Sequence, residues 1–420
     1  MRSCALYFSP DPGLAGLFEH DKIIFMKIHI FQIQVKAGSV RCFYQRYAYI
    51  FLLIGFIVVG LSFLDWQSVT GDTPIIETKK DALTTYNYLP IVSKQIYWVK
   101  SESNLPQDWI RDITINPSIP HEMLIALRDN GIFKSEDQGL SWKAVYSFGQ
   151  ADAPSARQIS FATSNPDIVY ATVINNVLRS SDGGETWSKI WPAELPGGGW
   201  GLAVDPEDPN HVYIGINADA ENHVYETING GQSWIPRNLV LGDQEGIISL
   251  AINPANTNQV LAGANTDVAE HPLSTRLYIS DDRGVTWELV ESGFPNSKRI
   301  TSINFTPCVP NQILISRQPH GQVDNYHRRS DNGGLSWNIV PFFDDDIGIS
   351  VNTPCLIYTA MHRSIDSGFS WQDISYNFYA LIPNPEDVRF TSWAPDPWND
   401  VLWVGTREHG LYSIKGVVTP

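Results

Sequence analysis

Four arginines at matching places in a repeating chain are the residues best suited to bind something. Arg157, Arg299 and Arg389 each sit about four residues before the middle of a short apolar strand, and Arg111 lies slightly further along the equivalent strand of an earlier unit. Converging guanidinium groups suit a carboxylate, sulfate or phosphate, because each can offer it two hydrogen bonds. The competing reading is ion pairing with acids such as Asp112, Glu386 or the run Asp344–Asp345–Asp346. That acidic triplet could also hold calcium, although a solvated loop explains it as well. His271, His320, His327, His362 and His409 fall in similar loops without metal-ligand spacing, so no metal and no cofactor is expected.

A second set of acids recurs in a fixed eight-residue pattern: Ser/Thr, any residue, Asp/Asn, any residue, Gly, any residue, Ser/Thr, Trp. It spans 135–142, 180–187, 227–234, 280–287, 330–337 and 364–371. An Asp or Asn two residues before a Gly is turn chemistry, its side chain folding onto backbone N–H groups ahead of it. The Gly supplies a conformation costly for other residues. The Trp that follows opens the next strand with a large apolar surface. These acids therefore read as turn locks, and no catalytic residue is assigned.

The positioning elements follow from the spacing. Successive pattern Trp residues lie 34 to 53 residues apart, the period of a propeller blade. Upstream of each pattern comes a Pro turn and a β-rich strand: Asn116–Pro117, Asn165–Pro166, Asp205–Pro206, Asn253–Pro254, Thr306–Pro307, Thr353–Pro354 and Asp396–Pro397. That makes seven units against six patterns. The seventh stops three strands into its blade at Gly410–Ile414, and the lone strand 94–100 (KQIYWVK) is expected to supply the fourth. Pairing it there removes an exposed sheet edge. The composition, with 14 Trp, 31 Gly and 27 Pro, suits an all-β chain full of turns.

Over about residues 94–416 the repeated wording resembles the Asp-box, or BNR, repeat of β-propellers. That resemblance implies boxes at the turn between third and fourth strands of each blade, remote from any site. Sialidases are similar in the boxes and loosely in the Arg cluster. They also need an Arg-Ile-Pro segment, a Tyr–Glu pair and an Asp acid, and Trp109–Ile110–Arg111–Asp112 lacks the Pro. Xyloglucan-type glycoside hydrolases are similar in repeat wording, including Gly197–Gly198–Gly199–Trp200, but carry two propellers. Sortilin-type receptors use ten blades and a Cys-rich module. In size and layout the chain is most similar to single-domain photosystem II assembly factors, a resemblance that implies an Arg-lined surface for a protein partner. It departs from them in its Pro-turn wording and its anchor.

Residues 47–64 form an uncharged run of 18 that is long enough to span a bilayer. Lys22, Lys27, Lys36, Arg41 and Arg46 precede it and Asp65, Asp72 and Glu77 follow, which directs the later part outward. The organisation expected is a cytoplasmic segment 1–46, a signal anchor 47–64, a linker 65–93 and a propeller 94–420. A cleaved signal peptide is the alternative. Cys308 and Cys355, each in Thr-Pro-Cys of adjacent units, could form a disulfide between blades if their Cα atoms come within about 7 Å. The net charge of −16 argues against nucleic acid or anionic lipid as partner.

The expected fold is thus an all-β, seven-bladed β-propeller with Asp-box turns, closed by an N-terminal strand and preceded by one transmembrane helix. The expected function is non-catalytic: a membrane-anchored, extracytoplasmic module for binding or assembly of a protein or glycan partner, through an Arg-lined channel mouth. The alternative is a sialidase-like glycoside hydrolase.

Overall fold

Apolar residues run without alternation through the second strand of one unit after another. Met123–Leu127, Val169–Val173 and Val212–Ile216 are buried at every position, as strands covered on both faces must be. A computed structural model describes residues 97–101, 103–149, 155–195, 197–217, 221–241, 245–266, 276–290, 297–306, 308–319, 327–340, 348–349, 355–359, 361–375, 377–381, 388–396 and 401–415. The apolar run 47–64 expected to span a membrane, segments 1–46 and 65–93, and Asp344–Asp346, Glu386, His271 and His320 lie outside them. No described helix is long and apolar enough to cross a membrane.

The described residues form seven antiparallel four-stranded units, here blades 1 to 7. Their innermost strands are Ile110–Ile115, Ala156–Phe161, Gly199–Val204, Glu245–Ile252, Ser297–Phe305, Gly348–Ile349 and Phe390–Asp396. Blades 4 and 5 are continuous through a single pairing, Asn265 opposite Arg299. Blade 7 contributes three strands of its own, and Tyr97–Lys100 completes it by pairing with Leu411–Lys415, Trp98 opposite Ile414. The expected terminal overlap is present.

That added strand is held from behind as well. Asn377, in the link between blades 6 and 7, accepts from the Trp98 backbone N–H (2.8 Å) and donates to its carbonyl (3.2 Å). The Trp98 indole donates to the Ile374 carbonyl at 2.9 Å and packs 4.7 Å from the Phe378 ring. Phe378 opens the four-residue helix Phe378–Leu381.

Apolar clusters fill every seam between consecutive blades, the last joining blade 7 to blade 1 through Trp403, Leu411, Ile110 and Trp142. At several seams a second strand gives up its side chain to admit an isoleucine from the next blade. A Cβ on Gly215 would lie 2.6 Å from Ile247, one on Gly263 would lie 2.8 Å from Ile300, and one on Gly405 would lie 2.5 Å from Ile110. Gly405 faces the closing seam, so closure uses the same knob and socket as the interior of the ring.

The six boxes repeat one geometry. In the first, Gly139 N–H donates to Ser135 Oγ and Ser141 N–H to Asp137 Oδ1, both at 2.8 Å. Equivalent bonds recur in the others, with Asn229 and Asn332 accepting in the carboxylate's place. The box Gly residues adopt φ between 74° and 94°. The residue before each is also left-handed, which explains Gly at 183, 230 and 333. The Thr286 hydroxyl, then its N–H, holds the Asp282 carboxyl down at about 2. Each box also bonds back to the turn after the innermost strand, as Gly183 N–H does to the Asp167 carbonyl. Pro turns and boxes therefore share one face. On it Cys308 and Cys355 form a disulfide, with Cα atoms 5.3 Å apart.

Blade 3 buries an ionic cluster near this face. His211 lies 2.7 Å from both Asp205 and Glu226, and Glu226 also accepts from Tyr213 at 2.8 Å and pairs with Arg237. Burial opposes the imidazolium, but hydrogen bonds to Glu226 and Asp205 outweigh it and raise the His211 pKa above its ordinary 6.5.

Two outcomes follow. Gly405→Val should destabilise the ring by about 1–3 kcal/mol through overpacking, read as a lower urea midpoint. A histidine whose folded pKa is raised contributes stability that is complete below the unfolded pKa of about 6.5 and is lost as pH rises through the folded value. Stability should therefore fall as pH climbs from about 6.5, and His211→Gln should flatten that slope in denaturation series across pH.

Candidate functional site: an arginine-lined mouth

On the face opposite the boxes, the innermost strands share a local irregularity. The pairing of first and second strands slips between Ile110 and Asp112, Ala156 and Ile159, Gly199 and Gly201, Ile247 and Ser249, Ile300 and Ser302, and Phe390 and Ser392. Each slip is a β-bulge, which turns one residue out of the ladder and re-aims its side chain. The residues skipped are Arg111, Arg157 with Gln158, Trp200, Ile248, Thr301 and Thr391. All of them line a single cavity of about 250 Å³, together with Arg299, Asp112, Ser392 and Trp393. Six blades thus aim bulged residues at one place.

Three of the four arginines singled out in the sequence meet there: Arg111, Arg157 and Arg299. Arg389 does not line the cavity. It precedes the innermost strand of blade 7, is exposed, donates to the Val388 carbonyl at 3.3 Å, and accepts the Arg407 N–H on its own carbonyl. Thr391, Ser392 and Trp393 hold the corresponding position at the cavity.

Aromatic faces carry two of these guanidinium groups. Arg157 lies 3.1 Å from the centroid of Trp200, and Arg111 lies 3.6 Å from that of Trp109. Arg407 and Arg128 approach the same Trp109 ring at 4.6 and 5.3 Å. Among the described residues no carboxylate pairs with Arg111 or Arg157, and the Nε of each is buried without a hydrogen-bond acceptor. The nearest acid in sequence, Asp112, accepts the N–H of Ile113 and that of Ile159 in the next blade, each at 2.9 Å.

The ionisation of the pair reflects this. Burial, followed by the charges of Arg128, Arg407 and Arg299, lowers the Arg111 pKa to about 10. Burial, then Arg111 and Arg128, lowers that of Arg157 to about 9. Both remain cationic at neutral pH, in a positive field that a bound anion would relieve. Among the described lining residues Asp112 is the single carboxylate and there is no tyrosine. No cluster of His, Cys, Asp and Glu among the described residues is arranged to hold a metal.

Sequence reasoning missed Trp109, Trp200 and Thr391. The signal for Trp200 and Thr391 was present in the innermost-strand wording, since IRDIT, ARQIS, GWGLA and FTSWA align on the bulge; Trp109 lies outside that alignment. Without structure nothing marks the bulge itself.

A family model described as Sortilin-Vps10, "Sortilin, neurotensin receptor 3", matches residues 175–330. No curated protein sequence matches the chain. Among solved structures, the GH74 xyloglucanase from Xanthomonas campestris is similar at 15% identity and a TM-score of 0.58, covering 76% of this chain and 53% of the enzyme. A GH74 enzyme from Niastella koreensis is similar at 17% identity and a TM-score of 0.54, with 75% and 44% covered. The chain spans about half the length of these two. YCF48 bound to a D1 peptide is similar at 15% identity and a TM-score of 0.51, covering 76% of this chain and 96% of that one. What this chain has in common with them is the fold, that of an Asp-box β-propeller.

Proposed function

We propose that the chain is a non-catalytic binding or assembly propeller, whose arginine-lined mouth holds an anionic segment of a protein partner. The observation that carries this reading is the pair Arg111 and Arg157, supported on aromatic faces and aimed into one cavity by bulges, with no ion pair to a carboxylate at either among the described residues. Structural arginines are ordinarily paired when buried. Likeness in fold and covered length to YCF48, solved with a D1 peptide, supports a polypeptide as the ligand class. Glycoside hydrolysis in its common form needs two carboxylates flanking the bond, so a lining with Asp112 as its single described acid supports binding instead. In this reading the run 47–64 anchors the chain and the propeller faces the extracytoplasmic side. The disulfide between Cys308 and Cys355 favours that oxidising location.

The test is a fluorescence-anisotropy titration of the full chain with an acidic peptide and its amidated, uncharged counterpart. The double variant Arg111→Gln, Arg157→Gln should weaken capture of the acidic peptide at least about tenfold, since each charge-assisted bond contributes about 1.5–3 kcal/mol. Raising salt to about 1 M, where the screening length is about 3 Å, should weaken it further in the parent protein. Unchanged affinity in the double variant would overturn the assignment. The same variant should melt no lower than the parent, because it relieves repulsion among like charges; a large drop in melting temperature would show that the arginines are structural.

A further inference from the structure

Consecutive blades also meet on the box face, through a recurring pair. The next-to-last residue of one third strand approaches the following blade's box, whose residue after the Gly stands opposite. At the first seam the pair is ionic: Lys134 Nζ lies 2.7 Å from Glu185 Oε1. At the fourth, Ile279 comes up against Gly334 of the following box. At the fifth, Arg329 lies 4.0 Å from the Phe369 centroid and also pairs with Asp331. At the third, Glu226 is already held by His211 and Arg237.

The second seam departs from this pattern. The corresponding residues are Arg179 and Gln232, which line one cavity, a cation and a neutral amide where the first seam has a cation and an acid. Arg179 Nε donates to the Tyr170 hydroxyl at 3.3 Å, and among the described residues no carboxylate pairs with it. Between the two boxes lies a cavity of about 530 Å³, roughly twice the mouth, to which both residues contribute. Asn210 and Ser188 line it, and so does Trp191, only 6% exposed, whose indole Nε1 has no acceptor among the described residues. No acid lines it.

We infer that this seam is a second binding site, for an acidic saccharide of the uronate type. Arg179 suits the carboxylate, since a guanidinium grips it through two parallel bonds. Neutral amides and hydroxyls suit ring hydroxyls, which both donate and accept. A peptide is captured by an open strand edge or by pockets for apolar anchors. Here the flanking outer strands, Ser188–Lys189 and Ile235–Pro236, are two residues long, and the lining is mostly polar. The site lies on the box face and is independent of the arginine mouth.

Calorimetric titration of the full chain with a galacturonic acid oligomer tests it, with the methyl-esterified oligomer and an oligoglutamate peptide as controls. Saturable binding of the acid form is expected, weakened at least about tenfold by esterification, by Arg179→Gln and by Gln232→Glu, each of which removes one charge-assisted pairing. Gln232→Glu installs the carboxylate that Glu185 supplies to Lys134, so it should keep or raise the melting temperature and separates loss of the site from loss of the fold. The mouth variant Arg111→Gln, Arg157→Gln should bind the oligomer as the parent does. No binding by the parent, unchanged binding in Arg179→Gln, equal binding of ester or peptide, or loss in the mouth variant would each overturn the inference.

Discussion

Ring closure is the constraint on which the other features depend. Seven twisted sheets can bury both faces of every blade only if the last packs on the first. The pairing of Tyr97–Lys100 with Leu411–Lys415 supplies the strand that blade 7 lacks. Asn377 and the Trp98 indole fix that strand to the link between blades 6 and 7. The seam from blade 7 to blade 1 then accepts Ile110 over Gly405 in the way that Ile247 and Ile300 are accepted elsewhere. If closure failed, the two halves of the mouth would part, because Arg111 belongs to blade 1 and Thr391 and Trp393 to blade 7.

The two faces resolve different physical problems. On the box face, backbone donors are satisfied locally by Ser, Thr, Asp and Asn side chains, and each box is tied to the neighbouring Pro turn. That leaves the turns of this face little conformational freedom. On the opposite face the ladder of six blades is interrupted at a matching level, with a second slip in blade 5 between Ser297 and Arg299. A bulge there weakens pairing slightly but delivers a side chain toward the axis. Aromatic rings beneath Arg111 and Arg157 make burial of the cations tolerable without a carboxylate.

Much of this was legible in the residues, for definable reasons. Box turns, Trp pegs, Pro turns, the seven units and the terminal strand are local or periodic features, and a sequence records both directly. The disulfide was accessible because Thr-Pro-Cys falls at equivalent places in adjacent blades. The mouth was half legible: Arg111, Arg157 and Arg299 could be aligned by counting, yet Arg389 could not be told from them. Its displacement depends on a bulge at Thr391 that no propensity marks. Trp109 and Trp200 escaped notice because a tryptophan at a strand start reads as core until its ring is seen under a guanidinium, which for Trp200 comes from Arg157 of the preceding blade. The cluster around His211 escaped for a similar reason, since Asp205, His211 and Glu226 converge only once three strands are in register.

The closing strand has one further consequence. Because Tyr97 stands opposite Lys415, the points where the domain's chain enters and leaves are separated by a single inter-strand spacing of about 5 Å. Whatever precedes and follows therefore attaches at one spot on the rim. Tension on either end loads the outer edge of blade 7 before any other part of the ring. On the entering side the bonds that meet it first are those of Tyr97–Lys100 and of the asparagine behind them.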